Sequence, residues 1–294
     1  MFKFKGPVLA VTMLDKASGE AIRQACAIAR AAKSRLVVCH VLPELVGSHP
    51  LFPQRQMEDV LRMDGLLEKA RQAVEKQVEN ITRGKRGLAV SIRIEHGTPH
   101  GAVLKLARKL SPGLIVVNAQ EIGSGLLGGP SERILRYASC PVLMTRTSPA
   151  GKVLAATDFS DPTLPAIEAA ASESPRRKVP LVVMHVLETV PVMTSVFESG
   201  MLWPMPEVPI HIRETLQKRL DDCARRIKAK RAMLVDGLPA ESIVSAAREL
   251  PAELLVVATH GRTGFSHTVL GSVAEDVVRY APCSVLVVRL SKRS

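Results

Sequence analysis

The chain has 294 residues, of which 46% are hydrophobic and 23% are charged, proportions typical of a globular protein with about two domains. An aromatic content of only 3% argues against a surface that stacks nucleic-acid bases, so we expect no specific nucleic-acid partner. No apolar run has the length of a membrane-spanning helix, and residues 1–12 lack a signal-peptide pattern; together these features predict a cytoplasmic protein.

The first half begins with two apolar runs, residues 8–12 and 36–42, which predict buried strands. A helical stretch over residues 55–86 follows and is rich in Lys and Arg. The first 150 residues hold 22 Lys and Arg against 12 Asp and Glu, whereas the remainder holds 18 against 16. This basic half is either a solvated surface with i,i+4 ion pairs or a docking surface for an acidic protein, nucleic acid or lipid headgroup. Later strands are predicted at residues 114–117 and 142–146.

The second half repeats this alternation of strands and helices. Strands are predicted at residues 153–157, 181–187, 232–235, 254–258 and 284–290, and helices at residues 163–174, 243–250 and 271–280. Because the strands are continuous apolar runs separated by helices, each half is predicted to be a doubly wound α/β domain with a parallel, five-stranded sheet. Ligands of such domains bind beyond the carboxyl ends of the strands.

The two halves also resemble each other in sequence. VLAVT at residues 8–12 recurs as VLAAT at residues 153–157, and LVVCHVL at residues 36–42 recurs as LVVMHVL at residues 181–187. RYASCPVL at residues 136–143 returns as RYAPCSVL. The repeat predicts a duplicated domain, with one copy in residues 1–147 and the other in residues 151–294.

A glycine-rich loop after the fourth strand of the second half is the main candidate for chemistry. It reads ATHGRTG from Ala258, and Gly271 and Ser272 follow at the start of a helix. Glycines allow close approach of the backbone to a phosphate, and a helix N-terminus supplies free N–H groups and positive potential. The loop predicts a phosphate site, although it matches neither the P-loop nor the GxGxxG pattern.

These residues resemble the UspA-type universal stress protein family, whose ATP-binding members carry an Asp after the first strand and the motif G-x2-G-x9-G-[ST] after the fourth. Asp158, Gly261, Gly271 and Ser272 match these positions, while Ala258 replaces the first glycine. The resemblance implies a tandem universal stress protein of Rossmann-like, adenine nucleotide α-hydrolase-like fold. It also implies a site for ATP, with or without Mg²⁺. The residues expected at that site are Asp158, Val186, Ala258, Gly261, Arg262, Gly271 and Ser272.

The first half lacks several of these features. Met13 corresponds to Asp158, and Glu121 stands where the second half has Gly261. The loop before the pair Gly128-Gly129 is three residues shorter, and Gly129 replaces the hydroxyl of Ser272. We therefore expect one nucleotide site per chain and a degenerate first domain that serves as a scaffold or interaction surface.

Other residues are weaker candidates. His260 and His267 flank the loop but lack metal-ligand spacing, and Arg262 either contacts a phosphate or is a solvated cation. His40 and His185 occupy equivalent strand positions and are expected to be structural. Five cysteines without CxxC spacing predict buried thiols and no disulfide.

Residues 189–212 contain three methionines, four prolines and the chain's one tryptophan. A lid over the nucleotide, a contact with a partner or membrane surface, and an irregular packing segment are all compatible with this composition.

The resulting functional expectation is an ATP-binding regulatory protein of the stress response rather than an enzyme. A slow ATPase and a nucleotide-free interaction scaffold are the alternatives. The resemblance implies that the last strands of the two halves pair as an internal pseudo-dimer; a homodimer of chains is a further expectation.

Overall fold

The computed structural model describes residues 4–42, 57–83, 87–119, 129–188, 210–260 and 270–289. The first half contains β1 (Val8–Thr12), α1 (Lys16–Ala31), β2 (Leu36–Leu42), α2 (Met57–Thr82), β3 (Val90–His96), α3 (Pro99–Leu110), β4 (Leu114–Asn118), α4 (Pro130–Tyr137) and β5 (Val142–Thr145). The second contains β6 (Lys152–Ala156), a 3₁₀ helix (Asp161–Thr163), α5 (Leu164–Arg177), β7 (Leu181–Glu188), α6 (Ile210–Ile227), β8 (Arg231–Gly237), α7 (Pro239–Glu249), β9 (Ala252–Ala258), α8 (Ser272–Tyr280) and β10 (Ser284–Val288).

The ten strands form one continuous sheet in the order β3-β2-β1-β4-β5-β10-β9-β6-β7-β8. Within each half the neighbouring strands are parallel, as predicted. The halves meet where β5 and β10 pair antiparallel, with Leu286 opposite Leu143. This is the pairing of last strands that the resemblance implied. Because the strands of the two halves run in opposite directions, their carboxyl ends lie at opposite edges of the sheet.

Helices cover both faces of the sheet, and each face has its own apolar core. Helices α3, α4, α7 and α8 pack on one face and α1, α2, α5 and α6 on the other. Strand side chains alternate between the cores: Leu9 and Val11 belong to the first, Val8 and Ala10 to the second. This two-sided burial explains why the strands read as unbroken apolar runs.

Two equivalent arginines connect the halves at the central strand pair. Arg289, after β10, donates to the carbonyl oxygens of Leu135 and Arg136 at the end of α4, at 2.8 and 2.7 Å. Arg146, after β5, donates to the carbonyl oxygen of Arg279 near the end of α8 at 3.3 Å. Each guanidinium thus satisfies carbonyl groups at the C-terminus of a helix in the other half.

All five cysteines are free thiols; Cys26, Cys39 and Cys283 are buried as expected, whereas Cys140 and Cys223 are partly exposed. Within the described parts of the chain, no helix is long and apolar enough to cross a membrane.

Candidate functional site

A tight turn after β6 positions Asp158 at the carboxyl end of that strand. The hydroxyl oxygen of Thr157 accepts the N–H of Phe159 at 3.0 Å. Asp158 Oδ1 accepts the N–H of Ser160 at 2.9 Å and its hydroxyl at 2.5 Å. These bonds hold the carboxylate over the end of the strand. Ser160 is the N-cap residue of the 3₁₀ helix, but its hydroxyl donates to Asp158 instead of capping the helix.

The N-terminus of α8 faces the end of β9. The N–H of Gly271 donates to the carbonyl oxygen of Thr259 at 2.8 Å. A Cβ atom at position 271 would lie 2.9 Å from that oxygen, so this close approach requires glycine. A helix leaves its first N–H groups without intrahelical acceptors, and the first turn of α8 brings Ser272, Val273 and Ala274 to the same place. The result is an N-terminus suited to an anion.

Asp158 and the start of α8 line one cavity of about 480 Å³. Its wall is polar at Asp158, Thr259, His260 and Ser272, and apolar at Val186, Ile212, Leu216, Pro239, Ile243 and Val257. The volume lies in the range of small-molecule sites, and an apolar wall with a few converging polar groups is typical of them. The arrangement fits a ligand with an apolar part and an anionic part.

Comparison with known proteins identifies the family. A family model described as the universal stress protein family matches residues 6–146 and again residues 150–289. The chain belongs to this family. A universal stress protein from Mycolicibacterium smegmatis is 31% identical over 293 residues, which cover 92% of this chain and 93% of that protein.

A solved structure of this family agrees with the fold over the full length of the chain. The crystal structure of a universal stress protein from Archaeoglobus fulgidus covers 100% of both chains with a TM-score of 0.71 and 17% identity. A universal stress protein in complex with cAMP covers 47% of this chain and 97% of its own, with a TM-score of 0.34 and 25% identity.

The cavity at the equivalent place in the first half of this universal stress protein is much smaller. The cavity there measures about 20 Å³ and is lined by Met13, Asp15, Asn118 and Pro130, among others. The turn that carries Met13 has the same geometry as the turn that carries Asp158, since the N–H of Leu14 donates to the hydroxyl of Thr12 at 3.0 Å. The halves therefore differ in the side chains around the site, with the turn itself retained.

Sequence reasoning missed one of these differences. Pro130 is the first residue of α4, at the place that Val273 occupies beside the cavity of the second half. Proline has no N–H, so α4 offers one donor fewer at its N-terminus than α8. RYASCPVL at residues 136–143 recurs as RYAPCSVL at residues 279–286, an offset of 143. The same offset pairs Pro130 with Val273, so the sequence was sufficient to find the difference.

His185 contributes to the wall of the cavity and to its support. Its Nδ1 lies 2.7 Å from the carbonyl oxygen of Thr157, and its equivalent, His40, lies 2.8 Å from that of Thr12. Both imidazoles are buried, in agreement with structural roles. The ring of Phe159 packs against His185 with centroids 4.5 Å apart, and the guanidinium carbon of Arg219 lies 4.7 Å from the Phe159 centroid. This stack, which sequence reasoning did not find, connects α6 to the Asp158 turn.

Five of the seven expected site residues line the cavity: Asp158, Val186, Ala258, Gly271 and Ser272. Ala258 is also packed against the core beneath α5 and α6, so the fold accommodates the residue that replaces the family's first glycine.

The other two expected site residues, Gly261 and Arg262, lie outside the described residues, as do His267, Glu121 and Gly128. Of residues 189–212, the last three belong to α6 and the rest lie outside the described residues. Within the described ranges, no group of His, Cys, Asp and Glu forms a metal site.

Proposed function

We propose that this universal stress protein binds ATP, with or without Mg²⁺, at one site in residues 151–294. The observation that carries the proposal is the contrast between the halves: a cavity of about 480 Å³ in one and about 20 Å³ at the equivalent place in the other. The larger cavity combines a carboxylate that can accept hydrogen bonds from ribose hydroxyls with a helix N-terminus for phosphates. Its apolar wall suits a purine base.

In this proposal, the first half is a scaffold with no nucleotide site of its own. Met13 offers a thioether where Asp158 offers two strong acceptors, and Pro130 removes a donor at the start of α4. The same half carries most of the positive charge, which favours an acidic protein as the regulated partner. In this role the protein is a nucleotide-dependent regulator. Its cavity binds the nucleotide and does not catalyse a reaction of it.

Calorimetric titration of Mg²⁺-ATP into the nucleotide-stripped protein tests the proposal, with Asp158→Met as the informative variant. Methionine at the same turn is tolerated in the first half, so the variant is expected to fold. We expect one site per chain in the wild type and at least tenfold weaker binding in Asp158→Met. The matched control, Met13→Leu, is expected to bind as the wild type does.

Two results would contradict the proposal. Absence of both binding heat and co-purified nucleotide would leave the interaction scaffold as the function. Two sites per chain would show that the first half is not degenerate.

A further inference from the structure

Helix α6 contacts the candidate site at three successive positions along its length. Ile212 and Leu216 line the cavity, and the guanidinium carbon of Arg219 lies 4.7 Å from the centroid of the Phe159 ring. Residues four and seven positions apart lie on the same side of a helix. Arg219 therefore continues the cavity-lining face of α6 as far as the turn that carries Asp158.

The Phe159 ring joins α6 to a second element, β7. Arg219 makes a cation–π contact with the ring, and the imidazole of His185 in β7 packs against it with centroids 4.5 Å apart. Nδ1 of His185 lies 2.7 Å from the carbonyl oxygen of Thr157. A chain of contacts thus runs from α6 through the ring to β7 and back to the residue before Asp158.

Phe159 needs this support because of its backbone conformation. Its φ is 62°, a left-handed conformation that costs free energy in a non-glycine residue and persists only where the surrounding structure enforces it. Asp158 immediately precedes this residue, so the direction of its carboxylate depends on the conformation of the turn. A contact that fixes the Phe159 ring therefore also fixes the acid.

The first half supports its equivalent turn in a different way. Leu14, with φ of 63°, takes the place of Phe159 and has no aromatic ring to stack. Helix α2 reaches this turn through Gln77, whose side-chain oxygen accepts the hydroxyl of Thr12 at 2.7 Å and whose amide donates to the carbonyl oxygen of Asp15 at 3.1 Å. The half with the larger cavity thus supports its turn through an arginine and an aromatic ring.

We propose that Arg219 is a positioning residue of the nucleotide site, which fixes the carboxylate of Asp158 through the Phe159 ring. Arg219 itself does not contact the nucleotide. The cation–π contact stabilises the conformation of the turn that binds, so its loss lowers affinity only while there is an acid to position. The inference rests on the proposed function and adds to it a residue of α6, a helix that carries none of the motif residues.

The test is a calorimetric titration of Mg²⁺-ATP into the wild type, Arg219→Gln, Arg219→Lys and Phe159→Leu, with thermal unfolding of each protein. We expect about threefold weaker binding in Arg219→Gln and about tenfold weaker binding in Phe159→Leu, which also loses the contact with His185. Arg219→Lys keeps a cation for the ring and should recover part of the loss. The control Lys218→Gln removes a charge from the neighbouring exposed position of α6 and should bind as the wild type does.

A double-mutant cycle distinguishes positioning of the acid from general support of the site. Asp158→Met removes the acid, so adding Arg219→Gln or Phe159→Leu to it should weaken ATP binding no further. The combination of Asp158→Met with Phe159→Leu reproduces the Met13-Leu14 pair of the first half and is expected to fold. Losses that add in full to that of Asp158→Met would overturn the inference, because the stack would then act independently of the acid.

The outcomes separate this inference from the proposed function. Wild-type protein that binds no ATP overturns both. Wild-type binding that Arg219→Gln and Phe159→Leu leave unchanged overturns the positioning role and leaves the nucleotide site standing. If Phe159→Leu does not fold, the exposed Arg219 supplies the test, since Arg219→Gln has to weaken binding in the wild type and not in Asp158→Met.

Discussion

Two turns with the same backbone conformation carry different side chains, Met13 in the first half and Asp158 in the second. Phe159 has φ of 62° and Leu14 has φ of 63°, a left-handed conformation that costs a non-glycine residue about 1–2 kcal/mol. In both turns a threonine hydroxyl accepts the N–H of the strained residue at 3.0 Å. Duplication therefore preserved the strained backbone in both halves. The residue before it, Met13 or Asp158, sets the chemistry of the site.

The hydroxyl of Thr157 is predicted to position Asp158. Thr157→Val removes the acceptor for the N–H of Phe159 and the contact with the hydroxyl of Thr163 at 3.1 Å. We expect the free energy of unfolding in urea to fall by about 1–2 kcal/mol and ATP affinity to fall as well, because the carboxylate loses its fixed place. Thr12→Val should lower stability comparably and leave ATP affinity unchanged. Full affinity in Thr157→Val would show that the turn does not position the acid.

At the scale of single elements, the N-termini of α4 and α8 differ in the N–H donors that they offer. Helix α8 begins after a glycine whose N–H bonds to the end of β9, while α4 begins with Pro130. The exposed Val273 lies in the first turn of α8, where proline is structurally tolerated but removes an N–H. A proline at position 273 should therefore weaken anion binding, because it removes an N–H donor, without preventing the helix from forming.

Val273→Pro tests this separation. We expect α8 to remain folded, with a small change in melting temperature, and ATP affinity to fall several-fold because one N–H donor is lost beside the phosphates. Val273→Ala shortens the same side chain, keeps the N–H and should bind ATP normally. Equal affinities of the two variants would show that this N–H does not contribute to binding.

Sequence patterns predicted these elements unequally. Strands such as β1 and β9 were predicted closely because both of their faces are buried, which leaves an unbroken apolar signal. The edge strand β8 was predicted over residues 232–235 only, but extends over Arg231–Gly237, because an edge strand carries polar residues at its exposed positions. The cavity volume and the Phe159 stack depend on how helices pack over strand ends, which no local pattern specifies. The roles of Gly261 and Arg262 stay predictions.

At the scale of the whole molecule, the junction between the halves repeats one arrangement twice. Each half places a cysteine beside an arginine from the other: the half-buried Cys140 beside Arg289, and the buried Cys283 beside Arg146. Burial lowers the pKa of both arginines and raises the pKa of Cys140 to about 12 and that of Cys283 to about 11. Burial outweighs the attraction of each thiolate to its arginine, so both thiols stay protonated at neutral pH. We therefore expect the stability of the junction to fall as the pH becomes alkaline.

The pKa of Cys283 predicts the direction of that dependence. Its pKa is raised from 9.0 to about 11 in the folded state, so between these values the thiol ionises in the unfolded chain and stays protonated in the folded one. Stability contributed by the buried thiol is complete below pH 9 and is lost as the pH rises toward 11. In urea unfolding from pH 8 to pH 11, we expect the wild type to lose up to about 2 kcal/mol of its advantage over Cys283→Ala. Leu286→Ala, a cavity-forming variant of the same strand without a titratable group, should keep a constant difference, and a constant difference for Cys283→Ala as well would contradict the raised pKa.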